Sequence, residues 1–308
     1  MSESSVVLFP HPGAEHDSAK GGPLYPWNRQ PDPHRRKYLA ARVRVARELG
    51  GGWQVAAGES PAAMWTEYEP PTRIREFAEA TAPGLPCAWH EFLPIGEVPP
   101  RAHGTDPWVF GESFRYGICK QSSVSYLKRL VPGDVIFFGS WMKRDESGRK
   151  AAVFNFFLDT VFVVGVAYPN ARTDEAVPDG VLDPAYRRAE WDRIRERDRG
   201  TLYTGSMIGG GVWEEPFSWV PCKSFPEGAS APPRFPRPLI GQLFGRTSGN
   251  GQAIMRLAGV RPKDAWTTVV EHCRRQGLEL GAHVESPPAQ ASAPAAAAAG
   301  PCGEGRSH

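Results

Sequence analysis

The sequence predicts an α+β fold, a partly closed and mostly antiparallel β-barrel-like sheet with peripheral helices. Three observations carry this. Residues 152–168, AVFNFFLDTVFVVGVAY, are the strongest β-branched and aromatic run in the chain, long enough for a bent strand or two strands. Residues 130–140, LVPGDVIFFGS, set a Pro-Gly-Asp stop directly before an apolar run, which predicts a turn entering a buried strand. Strand-like and helix-like segments are also interspersed irregularly, without the βαβα alternation of a parallel sheet.

In chain order, SVVLFP (5–10) predicts a short buried strand running into the polar HPGAEH. From His34 to Leu49, Leu39, Val43 and Ala46 share one side of a helical wheel, and Gly50-Gly51-Gly52 follows, so a helix is expected. MWTEYEP (64–70) alternates like a strand, and Pro71-Thr72 opens a short helix through Ala80. Six prolines between residues 83 and 107 leave little periodicity and predict a long loop. WVFG (108–111) predicts a strand, and Leu127, Leu130 and Val131 form a helical face before the Pro-Gly-Asp stop. DPAYRRAEWDRIRERD (183–198), with Asp183 as N-cap and Pro184 at the first helical position, predicts a surface helix. WEEPFSWVPC (213–222) is a strand region, and Trp266, Val269, Val270 and Cys273 share one face of a helix over residues 264–276. Residues 1–283 read as a single domain without internal repeats. Residues 284–308 read as a disordered tail, Pro/Ala/Gly-rich and without large apolar side chains from Glu285 on.

Composition narrows the class. With 41% apolar and 23% charged residues the chain is ordinary for a globular protein, and a net charge of +2 leaves nucleic-acid binding to be decided by local charge. Five cysteines, an odd number without a CxxC pair, argue for reduced thiols and a cytoplasmic location. The N-terminus offers only Val6 to Phe9 as an apolar run, too short for a signal segment or a membrane span, so no membrane partner is expected. There is no GxGxxG after a strand, no phosphate loop, no HExxH and no GxSxG, which disfavours the common nucleotide-cofactor enzymes and leaves any cofactor unknown.

Three constellations could carry chemistry. Between Arg29 and Arg47 stand seven Lys/Arg residues against one acid. On the expected helix, Arg36, Lys37, Arg44 and Arg47 form a stripe opposite the apolar arc, either a solvated face or a phosphate contact, while Arg35 and Arg42 fall in the apolar arc and need carboxylate or phosphate partners. The HPGAEH loop supplies His11, Glu15 and His16, followed by Lys20, Asn28 and His34. These are candidates for acid/base chemistry or phosphate contact, on a loop leaving a strand. Their spacing makes only a weak case for a metal, and no metal site is assigned. In DPWVFGESFRYGICKQ (106–121), Trp108, Phe110, Phe114 and Tyr116 lie beside Asp106, Cys119, Lys120 and Gln121. Such aromatics are either core, or a platform that stacks a base while polar groups contact its edge. Asp159, in the middle of an apolar run, is a further binding candidate.

YLKRLVPGDVIFFGS followed by FFLDTVFVVGVAYPN resembles the centre of PUA-like domains, particularly the EVE/YTH/ASCH branch. The resemblance covers about residues 108–170. Segments outside it (HPGAEH, HRRKYL, PFSWVPC) loosely resemble an uncharacterised bacterial family akin to the nucleotide-modification-associated domains. The resemblance implies a PUA-like barrel and binding of DNA or RNA containing a modified base, or of a free nucleotide. The alternative is an enzyme of nucleotide or base modification that uses the HPGAEH loop for acid/base chemistry.

Overall fold

The computed structural model describes residues 4–11, 14–15, 24–25, 35–70, 72–77, 88–92, 105–145, 149–171, 176–193, 200–209, 213, 215–247 and 253–288. Of these, 43% lie in strands and 15% in helices, so the sheet half of the α+β expectation dominates. The strands begin with β1 (Val6–Pro10), β2 (Ala14–Glu15), β3 (Leu24–Tyr25), β4 (Arg35–Leu49) and β5 (Gly52–Val55). Then come β6 (Ser60–Thr66), β7 (Thr72–Phe77), β8 (Ala88–Phe92), β9 (Arg115–Tyr116), β10 (Val135–Arg144) and β11 (Lys150–Tyr168). Helix α1 (Pro184–Ala189) precedes β12 (Leu202–Gly205), β13 (Val220–Ser224) and β14 (Met255–Arg256), and helix α2 (Pro262–Arg275) leads into β15 (Glu279–Val284).

The first sheet has the order β14-β1-β10-β11-β12-β9. At its centre β1 and β10 pair in parallel, Val6 opposite Val135 through Pro10 opposite Gly139. Both faces of this pair are covered: Val7, Phe9, Ile136 and Phe138 enter one core, Val6, Leu8, Val135 and Phe137 the other. That is why VVLF and VIFF lack polar alternation. The Pro-Gly-Asp stop fastens this centre. Gly133 takes a φ of 90°, and its N–H donates to the Val164 carbonyl. The buried Asp134 carboxylate accepts from the Val131 N–H at 2.7 Å and from both the N–H and the hydroxyl of Ser5, tying the turn to the start of β1. β10 runs antiparallel to β11, with Val135 opposite Val163 and Phe137 opposite Val161. β11 is one strand of 19 residues, bent where its register with β10 shifts at Phe138/Gly139.

The second sheet runs β15-β13-β6-β4-β8-β7-β3, with β2 and β5 also on β4. Residues 35–49 are thus a strand, not the expected helix. Leu39, Val43 and Ala46 satisfy a helical period, but Leu39, Ala41, Val43 and Val45 satisfy period two as well, and these four are buried together. Partners on both edges of β4 decide between the two, β6 from Lys37–Thr66 to Val43–Ser60 and β15 from Leu280–Ala46 to Val284–Val43. Residues 72–77 are likewise a strand, paired with β8. The antiparallel pairings β4–β6, β6–β13, β13–β15 and β15–β4 return on themselves.

The helices are few. The turn before the Pro-Gly-Asp stop is a 3₁₀ helix, Ser125–Arg129. Asp183 caps α1 as expected, but Tyr186, Ala189 and Trp191 are buried, so this segment is docked on the body by one face. In α2, Trp266, Val269, Val270 and Cys273 are buried together, as their spacing predicts. WVFG makes only isolated bridges, Trp108 with Arg115 and Gly111 with Val284. The boundary drawn at residue 284 cuts the end of β15, where Val284 is buried and the Glu285 N–H donates to Arg42. Residues 289–308 lie outside the described residues. Among the described residues no helix is long and apolar enough to cross a membrane.

Candidate functional site

Asp159 is the entry to a chain of buried charges where the two sheets meet. Its carboxylate holds Arg36 Nε at 2.8 Å and Arg237 Nε at 2.6 Å. Arg36 extends the chain to Glu67 (2.8 Å) and donates to the Gly139 carbonyl (3.1 Å), and Glu67 in turn contacts His11 Nδ1. Arg237 donates to the Ser140 hydroxyl and the Phe157 carbonyl, both at 2.9 Å. All five charged or titratable residues are less than a tenth exposed. Burial opposes the Arg36 charge, but Glu67 and Asp159 outweigh it and hold the guanidinium's pKa above its ordinary value. Next to Arg36, Lys37 donates to the carbonyls of Pro70 (2.9 Å) and Glu69 (3.5 Å), and burial pulls its pKa down to about 7.

These placements correct the wheel. Arg36 and Lys37 were expected in solvent and are buried. Arg42 was expected in the apolar arc; it is 44% exposed, with Glu59 and Glu227 as its partners. The side chains of Glu15 and Arg35, and residues His16, Lys20, Asn28 and His34 entirely, lie outside what the structure describes. His11 is the one member of the HPGAEH cluster whose surroundings are described.

The aromatic segment 106–121 is core. Trp108, Phe110, Phe114 and Tyr116 are wholly buried, with Trp108 edge-on to Phe110 and Tyr116 packed against Phe9, Phe138 and Tyr203. The Asp106 carboxylate caps the following turn, accepting the N–H groups of Gly117, Ile118 and Cys119 at 3.1, 2.8 and 2.6 Å. Burial raises its pKa, opposed by these bonds and by the charge of nearby His11. The Gln121 amide is engaged at both ends by the Thr201 backbone, at 2.8 and 2.9 Å. Burial, reinforced by the Asp106 charge, keeps the Cys119 thiol well above its usual pKa, which disfavours the thiolate a nucleophile needs. Lys120, exposed at a φ of 62°, is the only polar candidate of this segment that faces solvent.

A different surface carries a cleft. At the rim formed by Gly133 and Gly165, the glycines of the PGD and VVGV motifs, lies a cleft of about 1000 Å³. Its lining carries three cations, Arg256, Arg261 and Lys263, against one carboxylate, Glu215, and one large aromatic, Trp213. The parts are fixed by main chain. Arg256 lies on β14 beside β1, and the Leu257 N–H donates to the Val6 carbonyl. Trp213 exchanges two backbone bonds with Trp53, both 2.9 Å. Arg261 stands at the N-terminus of α2, where no side chain caps the first turn and Asp264 supplies one carboxylate. Arg261 is held by Asp264 at 2.7 Å through Nε, leaving its outer nitrogens free of that contact. A second cavity of about 310 Å³ adjoins through Ser5 and Arg256 and adds Tyr126 and Arg129.

Neither Arg237 nor the cleft residues Trp213, Arg256, Arg261 and Lys263 stand out in sequence. Glu67 had a signal, an acid within the alternating MWTEYEP strand. Among the described residues no group of three or more His, Cys, Asp and Glu could hold a metal ion. Comparison with known proteins finds no matching family model, no matching curated protein and no matching solved structure.

Proposed function

We propose that the protein binds DNA, RNA or a free nucleotide through the cleft at the PGD/VVGV rim. In this reading a modified base lies against Trp213, and phosphates lie against Arg256, Arg261 and Lys263. The observation that carries it is the coincidence of three cations and one aromatic in a single cleft. Cations match phosphate oxygens, and an aromatic face accepts any base by stacking. The cleft sits on the two motifs that resemble PUA-like domains, and the returning circuit β4–β6–β13–β15 is compatible with the partly closed barrel those domains have. Trp108, Phe110 and Tyr116, for which core and base platform were the alternatives, are buried, and in this reading Trp213 takes the stacking role.

The test is binding of single-stranded oligonucleotides, with and without modified bases, across a salt series. Each phosphate contact contributes about 0.7 to the slope of log affinity against log salt for a single strand. The combined variant Arg256→Ala, Arg261→Ala, Lys263→Ala is expected to flatten the slope by up to about 2 on that basis. An unchanged slope, or no binding at low salt, would reject the reading.

A further inference from the structure

The small cavity beside the cleft has walls from two separate parts of the chain. One is the 3₁₀ helix Ser125–Arg129, which contributes Tyr126 and Arg129. Residues three apart eclipse in a 3₁₀ helix, so these two side chains leave the same face. The helix is pinned from behind. The Tyr203 hydroxyl donates to the Leu127 carbonyl at 2.8 Å and accepts the Leu130 N–H at 3.1 Å, and the Thr201 hydroxyl donates to the Lys128 carbonyl at 3.0 Å. The other wall is β14, where Arg256 stands opposite Val7 of β1. Arg256 and Ser5 line both cavities, so the small one, about 310 Å³, shares a wall with the cleft.

The charge of the small cavity is unbalanced. Among the described residues neither Arg129 nor Arg256, both exposed, has an ion-pair partner. The one carboxylate of the lining, Asp134, opposes them, but it is buried and turned to the protein, accepting from the Val131 N–H and from the N–H and hydroxyl of Ser5. The Tyr126 hydroxyl has no hydrogen-bond partner. Burial raises its pKa against the opposing charge of Arg256, so at neutral pH it is a donor. Two guanidinium forks and a hydroxyl donor on one cavity suit phosphate oxygens.

We infer that this cavity is a terminal-phosphate subsite, taking a phosphomonoester on the same ligand whose base lies against Trp213. The inference rests on the reading of the cleft given above and narrows its ligand class. A phosphomonoester carries about 1.5 to 2 negative charges at pH 7, against about one for a diester within a strand, so it matches two guanidiniums better. Arg129 and Arg256 meet it from opposite walls, and the Tyr126 hydroxyl donates to it. The preferred ligand is then an end-phosphorylated single strand or a nucleoside monophosphate, ahead of an internal stretch of a long nucleic acid.

The first arm of the test uses the full chain, inorganic phosphate and phenylglyoxal, which modifies free guanidiniums. Phosphate is expected to protect Arg129 in peptide mass mapping, with the exposed Arg275 at the far end of α2 as an unprotected reference. Tyr126→Phe, a change small enough to leave the fold intact, is expected to raise the phosphate needed by about tenfold. Modification of Arg129 that phosphate does not slow overturns the subsite, whatever the cleft binds. The second arm compares single-stranded oligonucleotides with a 5′-phosphate, a 3′-phosphate or hydroxyl ends. One phosphorylated end is expected to bind about tenfold tighter than the hydroxyl-ended strand, and Arg129→Ala to remove that difference. If the hydroxyl-ended strand binds and neither terminal phosphate improves it, the inference falls while the cleft reading stands. If no strand binds but phosphate still protects Arg129, the cleft reading falls and the cavity remains a phosphate site.

Discussion

Replacing Arg36 by methionine removes the one group that joins Glu67 to Asp159 while keeping most of the side chain's volume. Among the described residues Asp159 then retains Arg237, and Glu67 its contact with His11. Removing one partner of a buried ion pair costs about 3–5 kcal/mol, and because Arg36 serves two carboxylates the upper end applies. For a domain of this size each kcal/mol lowers the melting temperature by about 2–4 °C, so a loss of about 10–20 °C is expected. The matched control is Arg42→Met on the same strand, 44% exposed with exposed partners. A surface pair of that kind contributes about 1 kcal/mol at most. Urea unfolding followed by tryptophan fluorescence measures both. A helical reading of residues 34–49 gives the reverse order, since there Arg36 faces solvent and Arg42 the core. If Arg36→Met falls within about 1 kcal/mol of Arg42→Met, the buried charge chain is wrong.

Other outcomes follow from neighbouring geometry. Lys37 has a folded-state pKa of about 7, below its ordinary value, so the folded chain binds fewer protons than the unfolded chain from about pH 7 up to the ordinary lysine range. Stability should therefore rise with pH across that window, with a slope approaching about 1.4 kcal/mol per unit, and Lys37→Met should abolish the rise in a pH series of unfolding curves. Asp134→Ala removes three hydrogen bonds that join the turn to Ser5 and Val131; it should cost at least about 2 kcal/mol and speed amide exchange in β1. Gly139→Ala places a Cβ 1.9 Å from the Phe157 carbonyl oxygen, and thermal denaturation should show a loss of about 3 kcal/mol or more.

Much of the sheet was legible because its signals are local. Pro132-Gly133 announces the turn whatever surrounds it, and VIFF is too short and too β-branched and aromatic for a helix. The same holds for Trp266, Val269, Val270 and Cys273, whose spacing suits one face of a helix and little else. β4 was misread because alternating and helical periods share Leu39 and Val43, and only the pairing partners β6 and β15 separate them. That error carried into the site, since it sent Arg36 and Lys37 to solvent. Trp108, Phe110 and Tyr116 show the complementary limit: an aromatic that stacks a base and one that fills a core look alike until burial is known. The cleft was illegible for another reason. Trp213, Arg256 and Lys263 are distant in sequence from Gly133 and Gly165, and only the β1–β14 pairing and the Trp53–Trp213 bridge bring them together.

The most direct test of the account is photocross-linking of a single-stranded oligonucleotide with a photoreactive base to the full-length protein, followed by peptide mapping. The expected cross-links fall on the peptides carrying Trp213 and Tyr126, and they disappear in Arg256→Ala, Arg261→Ala, Lys263→Ala while melting temperature stays unchanged. Cross-links that map elsewhere and keep their yield in that variant would contradict the cleft as the nucleic-acid site.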